Sequence, residues 1–204
     1  MNIHMFTNGP LSKEVSQILK KNISTTTSIE ISEAIILNNP DLEAAELIVV
    51  ISDNPCVSFC KKISDYSYKE KKIFVPIIID QPNVIIGPIW RSAEDACYHC
   101  YIDRILQHSP VSQVLKEVWQ FYDHNLQTFS TGYHPSEPSF LASWLLGNLS
   151  NCFSDVRGQV IQLNLVTREP ISSQVIGVHG CPRCGLGREE KTRGYIHIQE
   201  ELFN

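Results

Sequence analysis

Glu46-Leu47-Ile48-Val49-Val50-Ile51-Ser52 is the stretch that decides the fold. A short unbroken apolar run rich in β-branched residues reads as a strand covered on both faces, and such strands occur in parallel sheets flanked by helices. Ile73 to Ile79 and Val84 to Ile86 are runs of the same kind, separated by Asp80-Gln81-Pro82-Asn83, which carries turn chemistry. Working back to the start, Ile3 to Thr7 predicts a short strand. Asn8-Gly9-Pro10 then leads into a helix that Ser12 can cap, with Val15, Ile18 and Leu19 on one face. Ile29 to Leu37 predicts a second strand. This alternation of strands and helices predicts an α/β fold with a Rossmann-like parallel sheet over residues 1–90.

Residues 91–185 change character but continue the same domain. Pro110 to Leu126 predicts a long amphipathic helix, with Val111, Val114, Leu115, Val118 and Phe121/Tyr122 at helical spacing. A polar loop follows over Ser130 to Pro138. Phe140 to Phe153 is apolar on nearly every side, which predicts a buried helix. Gln159 to Thr167 alternates as a strand, and Arg168-Glu169-Pro170 turns it into a second strand over Ser173 to Val178. That β-hairpin delivers the chain to its last pair of cysteines. Residues 186–204 form a C-terminal tail in which Tyr195-Ile196-His197-Ile198 alternates as a strand does, and they read as a docking segment.

Bulk composition narrows the class. With 204 residues, 43% hydrophobic and 19% charged, the chain has the makings of a full core. A formal charge of −5 without a Lys/Arg run longer than a pair argues against nucleic acid or an anionic membrane as partner. The N-terminus lacks the basic and long apolar regions of a signal peptide, and no apolar stretch approaches the roughly 18 residues that span a bilayer. The expected location is the cytoplasm, where cysteine pairs bind metal more often than they form disulfides.

Two C-x-x-C knuckles occur, Cys97-Tyr98-His99-Cys100 and Cys181-Pro182-Arg183-Cys184. A two-residue spacer lets a tight turn aim both sulfurs at one ion, and two such knuckles complete a tetrahedral sulfur shell with no open position. The expectation is a structural Zn2+ held by Cys97, Cys100, Cys181 and Cys184, clamping the second half onto the sheet. Iron in a rubredoxin-like site stays open, although the first knuckle is followed by Tyr101 rather than glycine. Gly185 is expected to supply a positive φ where the turn closes around the metal. A thioredoxin-like motif needs one C-x-x-C at a strand-to-helix turn, a setting that neither knuckle shows in the sequence. His99 is a weaker candidate ligand, while Cys56, Cys60 and Cys152 read as small apolar residues of a core or helix face.

A nucleotide-binding sheet places a Gly-rich turn after its first strand, so that backbone amides approach a phosphate. Here Thr7-Asn8-Gly9-Pro10-Leu11-Ser12 offers one glycine, and its proline removes a donor. The second strand, read as ending at Leu37, lacks a terminal acidic residue for a ribose. No nucleotide is expected, and the sheet reads as degenerate.

Val84-Ile85-Ile86-Gly87-Pro88, then Ala96-Cys97-Tyr98-His99-Cys100-Tyr101-Ile102-Asp103-Arg104, together with the closing Cys181-Pro182-Arg183-Cys184-Gly185, resembles one family pattern. It is similar to the ThiF-like, ubiquitin-activating-enzyme-like proteins that accompany YcaO cyclodehydratases in making azoline and azole rings in ribosomal, bacteriocin-like peptides. The resemblance covers residues 73–185 well and residues 1–72 only as a degraded half. It implies a non-catalytic subunit with no catalytic residue of its own, presenting the precursor peptide and activating a YcaO-type partner that binds ATP. A homodimer or a mixed complex would suit that role. Relatives begin with a winged-helix module that grips the leader peptide, and the chain as given starts in its first strand. Arg104 stands where the family places an arginine, to pair with an acidic group or with carbonyls near the knuckle. The alternative is an active adenylating enzyme acting on a peptide or carrier-protein carboxylate. Its support is Asp53-Asn54, which resembles the pair that active relatives place near nucleotide and metal; as a plain turn it would end a strand and cap a helix. A stand-alone zinc-stabilised interaction protein is a third class. Trp90, Trp119 and Trp144 read as core or interface anchors.

Overall fold

The computed structural model describes residues 1–31, 39–129, 132–149 and 151–185. The expected tail at 186–204 and residues 32–37 of the expected Ile29–Leu37 strand lie outside these residues. The described residues form one seven-stranded sheet in the order β2-β1-β3-β4-β5-β6-β7. Its strands are β1 (Ile3–Asn8), β2 (Thr26–Glu30), β3 (Leu47–Ser52), β4 (Ile73–Asp80), β5 (Asn83–Ile86), β6 (Gln159–Asn164) and β7 (Pro170–Gln174).

The decisive run behaves as its composition requires. Every residue of β3 is buried, and the strand pairs in parallel with β1 on one side and β4 on the other. Its alternate side chains enter two separate cores. Leu47, Val49 and Ile51 join one, and Ile48 and Val50 join the other. The first core is closed by α1 (Pro10–Asn22) and α6 (Glu137–Leu149), through Leu11, Val15, Leu141 and Leu145. The second is closed by the short α2 (Pro40–Ala44), α3 (Val57–Glu70) and α4 (Tyr98–His108). Among the described residues no helix is long and apolar enough to cross a membrane.

Several expectations need correction. The parallel arrangement holds for β2, β1, β3 and β4, but β5, β6 and β7 are antiparallel, so the sheet is mixed. The turn at residues 80–83 is too short for a crossover and folds β4 and β5 into a hairpin. The described second strand spans Thr26–Glu30, so it begins three residues before the expected Ile29; it takes its register from β1, where Ile3 faces Thr26 and Thr7 faces Glu30. It therefore does end on an acidic residue, contrary to the sequence reading, although Glu30 is engaged by Lys13 Nζ at 2.9 Å. The hairpin's second strand lies at Pro170–Gln174 rather than 173–178, because Arg168 adopts a left-handed φ of 62° and closes the turn early.

The long helix expected over 110–126 is α5 (Ser112–His124), and it has no fully buried residue. It rests on the domain through Leu115, Trp119 and Tyr122, while Val111, Val114, Val118 and Phe121 face outward. The helix expected to be buried all round, α6, buries Leu141, Ala142 and Leu145 but leaves Phe140 exposed beneath the Arg168 guanidinium.

Candidate functional site

The four knuckle cysteines converge, although 84 residues separate the two pairs. All four are buried, and their sulfurs lie within 4.8 Å of one another. Sγ–Sγ separations are 3.7 Å for Cys97–Cys100, 3.6 Å for Cys97–Cys181 and 3.3 Å for Cys100–Cys184. A tetrahedral zinc–thiolate shell with bonds of about 2.3 Å has edges of about 3.8 Å, so the sulfurs already stand close to the spacing that such an ion requires. The cluster could hold a metal ion, and its all-sulfur donor set is the chemistry that zinc or iron accepts.

Local structure explains the convergence. Contrary to expectation, the first knuckle does sit at a helix start: Cys97 is the N-cap of α4, and Cys100 lies in its first turn. The unpaired amides there favour thiolate charge. Further backbone donors reach the sulfurs, Cys97 N–H to Cys184 Sγ at 3.5 Å and Val178 N–H to Cys100 Sγ at 3.2 Å. Hydrogen bonds from the Cys100 and Cys97 thiols pull Cys184 down to about 2, while the same bond pushes Cys100 up to about 12. Gly185 is required for a different reason from the one expected. Its φ is not positive; instead a Cβ there would lie 2.6 Å from the carbonyl oxygens of Cys181 and His179.

Asp65 of α3 latches both knuckles. It pairs with His99 Nε2 at 3.0 Å from the first knuckle and with Arg183 Nε from the second. His99 thus faces Asp65 and the Lys61 carbonyl, outside the sulfur cluster. Arg104 donates from Nε to the Ile176 carbonyl at 3.4 Å, on the segment that leads into the second knuckle. Of the other cysteines, Cys56 and Cys60 lie 3.6 Å apart at the start of α3, fully buried, and Cys152 is half-buried.

A second feature lies at the carboxyl ends of β1 and β3, where open α/β sheets gather ligands. Asp53, the residue after β3, turns its carboxylate onto the N-terminus of α1. Its Oδ2 accepts from Leu11 N–H at 2.7 Å and its Oδ1 from Ser12 N–H at 2.9 Å. Asp53 therefore caps α1, not the helix that follows it, and Ser12 is not the cap. The Ser12 hydroxyl donates back to the Gly9 carbonyl at 2.8 Å. Burial raises the Asp53 carboxyl above its ordinary range, and the two amide bonds oppose that rise. Gly9 makes the approach possible: its φ is +112°, and a Cβ would sit 2.4 Å from the carboxylate. Asn54 adds a buried network, its Oδ1 accepting from Asn8 Nδ2 at 2.9 Å and from the Ser52 hydroxyl at 2.9 Å. Its Nδ2 donates to the Thr128 carbonyl at 2.8 Å, which draws the loop after α5 across this end of the sheet. Sequence reasoning singled out Asp53-Asn54 but not this contact, which joins residues 41 and 42 positions apart.

No protein-family model matches the chain, and no curated protein matches it. Solved structures do. The chain aligns with the heterocyclase TruD at a TM-score of 0.59 and 15% identity, over 90% of this chain and 27% of that one. Against a chain of the E. coli microcin synthetase McbBCD complex the TM-score is 0.63 at 17% identity, over 89% of this chain and 67% of that one. E. coli MccB bound to MccA-N7isoASN aligns at 0.56 and 14% identity, over 90% of this chain and 60% of that one. The chain spans about a quarter of the heterocyclase's length. At these identities the likeness is one of fold.

Proposed function

We propose that the chain is a non-catalytic, ThiF-like scaffold subunit that supports a YcaO-type cyclodehydratase in the synthesis of azoline- and azole-containing ribosomal peptides. It presents the precursor peptide, activates its partner, and keeps a degenerate Rossmann-like half and a helical half together through zinc on Cys97, Cys100, Cys181 and Cys184. Its place of work is the cytoplasm. The observation that carries this reading is the Asp53 carboxylate on the N-terminus of α1. A nucleotide's phosphate needs those amides, and Leu11 N–H and Ser12 N–H are already committed to a resident anion. A second anion beside a buried carboxylate would meet like-charge repulsion. The shared fold with TruD and the McbBCD complex supports the peptide-modifying context.

An active adenylating enzyme is the second reading. It is favoured by Glu30 at the end of β2 and Asp53 at the end of β3, a pair of carboxylates where a ribose and a metal ion would need them. The two readings separate in one experiment. Precursor peptide and a YcaO-type subunit are incubated with ATP, with and without this chain, and the loss of one water per ring is followed by mass spectrometry. The scaffold reading expects ring formation to depend on the chain and to survive Glu30→Gln. Pyrophosphate release by the chain and peptide alone, abolished by Asp53→Asn, would transfer the assignment to the adenylating enzyme.

A further inference from the structure

Among the described residues β7 is the last strand of the sheet, and it is exposed along its whole length. Hydrogen bonds at its two ends fix which of its backbone groups are used. Asn164 N–H donates to the Glu169 carbonyl, and Val175 N–H donates to the Gly158 carbonyl. In an antiparallel ladder residues point alternately toward and away from the partner strand. Ile171, Ser173 and Val175 therefore face β6, and the N–H and C=O of Ser172 and Gln174 point outward from the sheet. Proteins blunt such edges with charge, and Pro170-Ile171-Ser172-Ser173-Gln174 carries none. Pro170 guards only the entry to the strand.

Beside this edge runs a groove of about 380 Å³ between α4 and residues 173–176. Tyr101, Ile105 and Ile176 supply apolar walls, and Arg104 and His108 supply the charged and titratable groups; among the described residues no carboxylate lines it. Ile171 and Ile176 stand 68% and 65% exposed beside the groove and the edge.

We propose that the β7 edge and the α4 groove form a docking site for an extended, acidic–apolar peptide segment of another chain, which adds as an eighth strand. Outward-facing Ser172 and Gln174 supply main-chain hydrogen bonds, which set the peptide's direction and affinity. The alternating apolar side chains pack on Ile171 and Ile176, and a peptide carboxylate sits against Arg104 and His108. This deepens the peptide-presenting role proposed above, and it locates that role on the side of the molecule formed by β7 and α4.

The test uses the full chain and a fluorescein-labelled decapeptide, Thr and Val alternating, with two Glu at its C-terminal end. Fluorescence anisotropy reads the affinity. Binding should weaken at least tenfold in Ser172→Pro, which removes an outward N–H without touching a β6 bond. Circular dichroism and thermal melting check that this variant remains folded. Replacing the two Glu of the peptide by Lys should weaken binding at least fivefold. Equal binding to Ser172→Pro, or equal binding of the Lys peptide, overturns the proposal. The chain's own residues 196–201 (Ile-His-Ile-Gln-Glu-Glu) have the same chemistry. If the peptide binds only once Ile196 and Ile198 are changed to Asp, the occupant is the tail and the proposal fails. Ring formation is measured in parallel: if the chain still stimulates the cyclodehydratase while the peptide ignores β7, the docking site is wrong and the scaffold role stands.

Discussion

Removing the metal from the cysteine cluster should cost the protein a large share of its stability, and the structure sets the size of the loss. The ion would tie Cys97 and Cys100 to Cys181 and Cys184 across 84 residues. Treated as a cross-link closing a loop of that length, it restricts the unfolded chain by about 4.5 kcal/mol. A domain of this size is stable by about 5–15 kcal/mol, so the ion would supply about a third to nine-tenths of that. At about 2–4 °C per kcal/mol, the midpoint of thermal unfolding should fall by about 9–18 °C. The assay is differential scanning calorimetry on metal-loaded protein, on protein stripped with a chelator, and on Cys181→Ser, with Cys152→Ser as a control outside the cluster. Zinc content is read by atomic emission on the same samples. The expected result is one zinc per chain, a loss of about 9–18 °C on stripping, and recovery on zinc but not magnesium addition. A melting point that ignores both chelation and Cys181→Ser would refute the clamp.

Other outcomes follow from particular contacts. Gly9→Ala forces a Cβ onto the Asp53 carboxylate at a positive φ, so urea unfolding should show a loss of about 2–4 kcal/mol. Because burial raises the Asp53 carboxyl, the folded chain holds that proton more tightly than the unfolded chain does. Its contribution to stability should therefore fall as pH rises from about 4 through its folded pKa, and Asp53→Asn should flatten the urea midpoint over that window. Asp65→Asn removes the acceptor shared by His99 and Arg183 and should weaken zinc binding about tenfold in competition with a chromogenic chelator. On α5, Trp119→Ala should cost about 2–3 kcal/mol, while outward-facing Val114→Ala should stay within about 0.5 kcal/mol by the same urea assay.

Much of this architecture was legible in the sequence, and the parts that were not share a physical cause. The β3 run could be read because a strand covered on both faces has no polar face to show, and burial of all six residues bears that out. The cysteines could be read because a C-x-x-C turn is set by local geometry, and the structure gathers all four. Register and direction were less accessible. β2 begins at Thr26 because β1 sets its register there, with Ile3 facing Thr26, and the polar run Thr26-Thr27-Ser28 shows no apolar signal that would reveal it. The antiparallel half arises from the short turn at residues 80–83, whose four residues leave no room for the crossover that a parallel neighbour needs. Least legible was the Asp53–α1 contact. A capping pattern is visible when cap and helix adjoin, and Asp53 lies 42 residues from Leu11.

The most direct test of the scaffold account is calorimetric titration of ATP into the zinc-loaded chain, alone and then together with a YcaO-type subunit. The account predicts no heat from the chain alone and saturable binding once the partner is present, unchanged by Glu30→Gln. Micromolar binding by the chain alone, lost in Asp53→Asn, would contradict it and identify the β1–β3 crevice as a working nucleotide site.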